Sequence, residues 1–185
     1  MKKTKKPLQQ LPSQELLQEI QNFIANRPNH KAERKRWIHY GLFLLCWKSG
    51  LRVSEAVSFD LELAHPQPNL NNLYLIRGKG KRNRYIYVSD EVVAILKECQ
   101  WKPNKTTRRD FWEFLDRVRS DLKISASIEL APHTLRRCFA TYNLLSGEMP
   151  LNVLQKILGH SRVSTTDLYI RDSDIANLLK YKPIN

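Results

Sequence analysis

The amino-acid sequence predicts a mainly α-helical (α+β) domain with one small antiparallel β-hairpin or sheet. Three observations lead to this fold class. Apolar residues recur at helical spacing through most of the chain, whereas only one stretch shows two runs of β-branched and aromatic residues around a glycine-containing turn. The length of 185 residues suits one good hydrophobic core and is short for two. The hydrophobic content of 42% argues against a disordered chain.

The N-terminal part of the chain is predicted to hold an arm and then a series of helices. Residues 1–12 are basic and contain proline, so we expect a flexible arm. Ser13 is a candidate N-cap for a first amphipathic helix. A second helix, apolar on nearly all sides and therefore buried at the centre, should run over about residues 31–49 and stop at Gly50. A short helix then begins directly at Arg52.

The middle of the chain carries the β signal. The runs 73–76 and 85–88 are rich in aromatic and β-branched residues, and they flank the glycine-containing turn 77–84. This arrangement predicts a hairpin. Helical patterns then continue to the end of the chain, at 89–99, within 111–122, at 133–145, at 150–159, from Ser164 through Tyr169, and at 173–181.

The charge of the chain is the first indication of function. Lysine and arginine number 31 against 18 aspartates and glutamates, which gives a net charge of +13 and a pI near 9.8. So basic a domain usually binds a polyanion, with nucleic acid the first expectation. An anionic membrane is the weaker choice, because no basic stretch shows an unopposed apolar face. A basic surface that is merely solvated is the remaining interpretation.

The sequence also predicts a cytoplasmic protein, close to a bacterial nucleoid. The longest apolar run, 40–47, is far below the ~20 residues that a membrane-spanning helix needs. The basic N-terminus has no apolar segment behind it and is not a secretory signal. Cys46, Cys99 and Cys138 are far apart in apolar helical patterns, so we expect reduced cysteines in the core.

Several polar residues lie at helix ends or in the glycine-flanked turn, where packing does not require them. His133 and Arg136 are three positions apart, hence on one face near the start of a helix, where backbone N–H groups favour anions. Taken singly, each such residue has an ordinary explanation as a cap, surface or packing residue. The sequence contains no phosphate-loop motif and no cluster with metal-ligand spacing. The candidates are Arg52, Lys79, His133, Arg136, His160 and Tyr169.

Taken together and in this order, these residues resemble one family. The stretch 13–175 is similar to the catalytic domain of the tyrosine recombinases, or phage integrases. The resemblance implies that family's helical catalytic fold and an enzyme that cleaves and rejoins DNA strands through a 3'-phosphotyrosyl intermediate. Its motifs are Arg52-Val53-Ser54-Glu55, Gly78-Lys79-Gly80, His133-Thr134-Leu135-Arg136, Leu158-Gly159-His160-Ser161 and Ser164-Thr165-Thr166-Asp167-Leu168-Tyr169.

The predicted nucleophile is Tyr169, which would attack the phosphodiester and form an aryl ester that conserves the energy of the broken bond. A free phenol has a pKa of ~10, so Tyr169 must lose its proton during the attack or lie among cations. Arg52 and Arg136 are the natural clamps for the non-bridging oxygens, because a guanidinium matches phosphate geometry and stays charged.

The other predicted site residues follow from the resemblance. Lys79 is the general acid that protonates the departing 5'-oxygen. His160 donates a hydrogen bond to the phosphate, and His133 helps to move a proton near the nucleophile. Glu55 is expected to orient the arginines, with a plain surface glutamate as the competing interpretation. Neither a metal ion nor another cofactor is expected, because cationic side chains stand in for the metal.

Further basic residues are predicted to hold the backbone of double-stranded DNA. If ~6–10 phosphates are neutralised, affinity should fall ~10³–10⁵-fold between 50 and 200 mM salt. The residues assigned to this role are Arg77, Lys81, Arg82, Arg84, Arg108 and Arg109.

Two features depart from the commonest pattern of the family. Too few residues precede the first predicted helix to form the separate DNA-binding domain of many members, so we expect a short, catalytic-domain-only type. Its additional DNA binding would then come from an arm, an oligomer or an accessory DNA-binding protein. Arg137 stands where relatives often have histidine, which should alter packing or a phosphate contact. By resemblance, the tail 176–185 is expected to be exchanged between protomers of a tetramer on two DNA sites, with a frayed terminus as the competing interpretation.

Three functions are left open by the sequence. The first is site-specific recombination, by integration, excision or inversion. The second is the nicking and closing activity of a type IB topoisomerase, which uses the same chemistry without a partner duplex. The third is a DNA-binding regulator that keeps the fold without productive strand exchange, although every expected catalytic position is filled.

Overall fold

The structure is a computed structural model, and it shows a mainly helical domain with a small antiparallel sheet, as predicted. For residues 33–36, 66–67, 70–71 and 77 only the backbone is described. The predicted helices beyond residue 159, and residues 1–9 of the predicted arm, lie outside the described part of the chain. The described residues are 10–26, 33–62, 66–67, 70–77, 83–146 and 149–159.

Three helices form the N-terminal part of the domain. Helix α1 spans Gln14–Asn26, α2 spans Glu33–Trp47 and the short α3 spans Val53–Val57. The prediction of a central buried helix is confirmed, because nearly every described side chain of α2 is buried. The chain leaves α2 through Gly50, whose φ of +65° is strained for other residues; a Cβ added at this position would lie 2.5 Å from the Phe139 ring.

The sheet has the order β1-β2-β3 and is antiparallel throughout. Strands β2, Leu70–Arg77, and β3, Asn83–Tyr87, form the predicted hairpin in regular register. Strand β1, Pro66–Gln67, is an addition that the sequence did not predict, because a two-residue pairing that contains proline has no periodicity to detect.

In the part of the chain that the structure describes, four further helices follow the sheet: α4 at Asp90–Glu98, α5 at Arg108–Asp121, α6 at Pro132–Leu145 and α7 at Leu151–Leu158. Their starts agree with local sequence signals. The Ser89 hydroxyl accepts a hydrogen bond from the Val92 amide at α4, as predicted from its N-cap position. Pro132 occupies the first turn of α6, where its missing N–H costs nothing.

The main core is built around α2, against which α1, α4, α5 and α6 pack. A smaller apolar cluster that includes Leu73, Phe139 and Ile157 seats α7 against the sheet and α6. Cys46 and Cys138 are buried as predicted, and burial raises the pKa of both thiols to about 12. No helix in the described ranges has the length and apolar character that crossing a membrane requires.

The end of the predicted arm differs from expectation. Gln10 forms a parallel β-bridge with Ile128. The Gln10 amide donates a hydrogen bond to the Ser127 carbonyl at 2.8 Å, and the Gln10 carbonyl accepts one from the Glu129 amide at 2.8 Å. The Tyr142 hydroxyl also donates to the Pro12 carbonyl. Residues 10–12 therefore belong to the folded domain, because backbone pairing holds them where composition alone suggested a loose segment.

Candidate active site

The candidate site is centred on the carboxylate of Glu55, at the start of α3. Glu55 is the third residue of α3 and completes a capping box with Arg52, in which Glu55 Oε2 accepts the Arg52 backbone N–H at 2.8 Å. Glu55 Oε1 also accepts a hydrogen bond from Arg52 Nη1 at 2.9 Å. The helix start thus fixes both the acid and the arginine in one short segment.

A second arginine reaches Glu55 from strand β3. Arg84 donates from Nη1 to Oε1 at 2.7 Å and from Nη2 to Oε2 at 2.8 Å, a bidentate pair. Both residues are buried, with Glu55 7% and Arg84 6% exposed. The pair connects the sheet to the N-terminus of α3.

A third arginine arrives from α6, which packs against α2. Arg136 is buried, and its Nη1 lies 3.8 Å from Glu55 Oε2 while it donates to the Gly50 carbonyl at 2.7 Å. The contact with Gly50 ties α6 to the turn that follows α2. Arg136 is therefore held on several sides before any ligand is present.

All three arginines also bind the C-terminal end of α7. Arg84 Nε donates to the carbonyl of Ile157 at 2.6 Å and Arg136 Nη2 to that of Leu158 at 2.5 Å. Arg52 Nη2 donates to the carbonyl of the following residue, Gly159, at 3.3 Å. Three consecutive carbonyls, which a helix end leaves without intrahelical partners, thus each accept from one guanidinium.

Among the residues that the structure describes, positive charge exceeds negative charge at this site. Burial alone would raise the pKa of Glu55, but the hydrogen bonds and charge of Arg84, together with Arg52, lower it to about 2. Burial and the neighbouring charges of Arg52 and Arg84 lower the pKa of Arg136 to about 10. Three guanidinium groups therefore face one carboxylate, and the surplus charge favours a bound anion such as phosphate.

Two of the predicted catalytic residues have side chains that are open to solvent. The side chain of Arg52 is 32% exposed, so part of its guanidinium is open to a ligand. His133 is exposed at the second position of α6, one turn before Arg136. The structure thus brings Arg52 and Arg136 together around Glu55, with His133 on the same helix as Arg136. Lys79, His160 and Tyr169 lie outside the described residues.

Arg84 is placed differently from its prediction as a contact to the DNA backbone. It is buried, and its guanidinium is bound to Glu55 and the Ile157 carbonyl. The physical reason is strand register: Arg84 and Ile86 lie on the inward face of β3, and Val88, directly after the strand, continues the alternation. That period-two pattern was readable in the sequence and could have identified Arg84 as an inward-facing residue.

The other residues predicted to bind DNA have varied positions. Arg108 and Arg109 are exposed at the start of α5, where Arg109 Nε contacts Glu113 Oε1 at 2.8 Å. Arg77 ends β2 and is described in backbone only, while Lys81 and Arg82 lie outside the described residues. Arg137 is also exposed, and its Nη1 contacts Glu129 Oε2 at 2.7 Å.

Comparison with solved structures identifies the class of fold. The XerH site-specific recombinase, in a post-cleavage complex with palindromic difH substrate, superposes with a TM-score of 0.65 at 20% identity over 83% of this chain and 47% of its own. The integrase of the Tn1549 transposon, in complex with circular intermediate DNA, gives 0.64 at 18% identity over 97% of this chain and 62% of its own. The architecture is thus that of the catalytic part of site-specific recombinases and integrases.

Sequence comparison then identifies the family. The model of the phage integrase family matches residues 9–175, and the chain belongs to this family. Tyrosine recombinase XerC of Bradyrhizobium diazoefficiens is 31% identical over 74% of this chain and 47% of its own length. Tyrosine recombinase XerD of Lacticaseibacillus casei is 32% identical over 69% of this chain and 48% of its own. The chain spans about half the length of the curated relatives it matches.

Proposed function

We propose that the chain is a site-specific DNA recombinase, which cleaves and rejoins strands through a covalent bond between Tyr169 and a 3'-phosphate. The observation that carries this proposal is the convergence of Arg52 and Arg136 on the buried carboxylate of Glu55 with an excess of positive charge. Such a site suits the phosphate of a strand, and membership of the phage integrase family supports the reaction type.

In the proposed reaction the Tyr169 hydroxyl oxygen attacks the phosphorus atom. The new bond joins that oxygen to phosphorus, while the bond from phosphorus to the 5'-oxygen breaks. The phenolic proton leaves toward His133, and Lys79 supplies a proton to the departing 5'-oxygen. Rejoining is the same step in reverse, with a 5'-hydroxyl as the attacking group. No high-energy cofactor is consumed because the aryl ester retains the energy of the original bond.

The described arginines would act on the charge that develops at phosphorus. Arg52 and Arg136 donate hydrogen bonds to the non-bridging oxygens, with His160 as a further donor. Each preorganised donor of this kind contributes ~3–4 kcal/mol to the stability of a transition state. Glu55 holds the two guanidiniums and transfers no proton itself, in keeping with a pKa near 2.

Double-stranded DNA is the proposed partner, held in part by Arg108 and Arg109. The relatives support this, since the XerH recombinase has been crystallised on its difH substrate as a post-cleavage complex. We further propose that active copies form a tetramer on two DNA sites, with the tail 176–185 exchanged between protomers. An accessory DNA-binding protein would strengthen the binding of the chain to DNA.

The test is covalent capture of DNA. The 185-residue chain is incubated with sheared chromosomal DNA of its source organism and denatured in SDS, and the DNA that stays attached to the protein is sequenced. A nicked duplex carrying the recovered site then traps the adduct, because the short strand next to the nick diffuses away after cleavage. The variants are Tyr169→Phe and, as a matched control, Tyr87→Phe on strand β3.

The proposal predicts one recovered site and an adduct that persists in denaturant. Tyr169→Phe should form no adduct, whereas Tyr87→Phe should form it at the wild-type rate. Absence of an adduct with the wild-type chain, or equal adduct with Tyr169→Phe, would contradict the proposal. Exchange between two copies of the site separates a recombinase from a nicking and closing enzyme.

A further inference from the structure

We propose that Arg84 is a positioning residue, which sets the geometry of the two phosphate-binding arginines by joining Glu55 to the C-terminal end of α7. This inference rests on the proposed function of the same site. It replaces the prediction that Arg84 holds the DNA backbone. The contacts of its guanidinium carry the argument.

The first step is the position of Arg84 between two elements that are distant in sequence. Nη1 and Nη2 hold both oxygens of Glu55, at 2.7 and 2.8 Å, while Nε on the same rigid plane donates to the Ile157 carbonyl at 2.6 Å. A planar guanidinium fixes the relative position of its partners, which a lysine ammonium at a single point cannot do. Arg84 therefore sets the distance between the start of α3 and the end of α7.

The second step is that the same two elements hold Arg52 and Arg136. Arg52 contacts Glu55 Oε1 and the Gly159 carbonyl, and Arg136 lies near Glu55 Oε2 and donates to the Leu158 carbonyl. A shift of α7 relative to α3 thus displaces acceptors of both arginines. Arg84 itself is only 6% exposed, so the packing around it restricts the movement of its side chain.

The third step is the close packing of Arg84 on the end of α7. A Cβ added to Gly159 would lie 2.8 Å from Arg84 Cδ, and Gly159 has a φ of +61° that suits glycine. The glycine at the helix end thus leaves room for the arginine stem. In the sequence, His160 follows this glycine directly, and Lys79 precedes Arg84 by five positions.

The test separates positioning from binding and from folding. Arg84→Lys keeps the positive charge but removes the three-point contact. The matched control is Arg119→Lys, since Arg119 Nη1 likewise donates to backbone carbonyls, at 2.8 Å to Ile128 and 3.2 Å to Ser125, remote from Glu55 in sequence and on another helix. Single-turnover adduct formation on the nicked duplex is measured at saturating DNA, together with the Kd, its salt dependence and Tm.

Arg84→Lys is expected to slow adduct formation by about 10²-fold, the cost of a misplacement near 1 Å, with an unchanged Kd. Arg119→Lys should react at the wild-type rate. A second variant, Arg84→Met, should leave the slope of log K against log salt unchanged, because Arg84 contacts no phosphate. These three results together support the positioning role.

Other results overturn it. A wild-type rate in Arg84→Lys, or an equal slowing in Arg119→Lys, removes the specific role of Arg84. A fall of about 0.9 in the salt slope of Arg84→Met would assign it to a phosphate contact instead. Loss of folding in Arg84→Lys makes the role purely structural. Failure of the wild-type chain to form any adduct contradicts the proposed function itself, and is thus distinct from these outcomes.

Discussion

Two arginine–glutamate pairs in this molecule have the same shortest nitrogen–oxygen distance and very different surroundings. Arg84 and Glu55 lie 2.7 Å apart with side chains 7% and 6% exposed, whereas Arg137 and Glu129 lie 2.7 Å apart with side chains 47% and 30% exposed. Water and ions screen the exposed pair, so it contributes little to stability. The buried pair has lost its hydration, and each charge depends on its partner. Burial, and not distance, distinguishes the site from the surface.

Neutralising the acid of each pair should separate the buried pair from the exposed pair most clearly. Glu55→Gln leaves buried guanidiniums without their counter-charge and should lower the free energy of unfolding by about 3–5 kcal/mol. Glu129→Gln, the matched surface change, should lower it by less than about 1 kcal/mol. Urea denaturation of both variants measures the difference. Equal losses would mean that burial does not set the strength of these pairs.

Lowering the pH should also weaken the buried pair, with a smaller loss of stability than the Glu55→Gln substitution causes. The folded-state pKa of Glu55 is lowered from 4.5 to about 2, so its contribution is complete above pH 4.5 and is lost as the pH falls toward 2. The wild-type chain should therefore lose stability over this window more steeply than Glu55→Gln. Denaturation curves collected across the window provide the measurement. Parallel profiles for the two proteins would show that Glu55 does not titrate as described.

The surface arginines should show their effect in the salt dependence of DNA binding. Arg108→Ala removes an exposed cation at the start of α5 and should reduce the slope of log K against log salt by about 0.9, the value for one phosphate contact. Equilibrium binding of the nicked duplex at several salt concentrations measures the slope. An unchanged slope would remove Arg108 from the DNA-binding surface.

Much of the fold could be predicted because its signals are local. Ser89 caps α4, Pro132 starts α6, and alternating residues define the hairpin, all from neighbouring positions in the sequence. Strand β1 and the pairing of Gln10 with Ile128 could not be predicted, since they depend on partners distant along the chain.

The candidate active site could be predicted from the sequence only in part. Motif order indicated Arg52, His133 and Arg136, and the structure brings the two arginines to one carboxylate. Nothing local indicated that the carbonyls of Gly50 and Leu158 hold Arg136. Composition alone suggests a surface position for Arg84, whereas the alternation along β3 indicates an inward side chain. The position of a basic residue within a strand therefore predicts whether its side chain is buried better than its charge does.

The central claim is that the chemistry belongs to the arginines around Glu55 and not to basic residues in general. The most direct test compares Arg52→Ala with Arg119→Ala in single-turnover adduct formation on the nicked duplex at saturating DNA. Arg52→Ala should be slower by about 10²–10³-fold, the cost of losing one preorganised donor, whereas Arg119→Ala should match the wild-type chain. Equal rates for the two variants would contradict the claim.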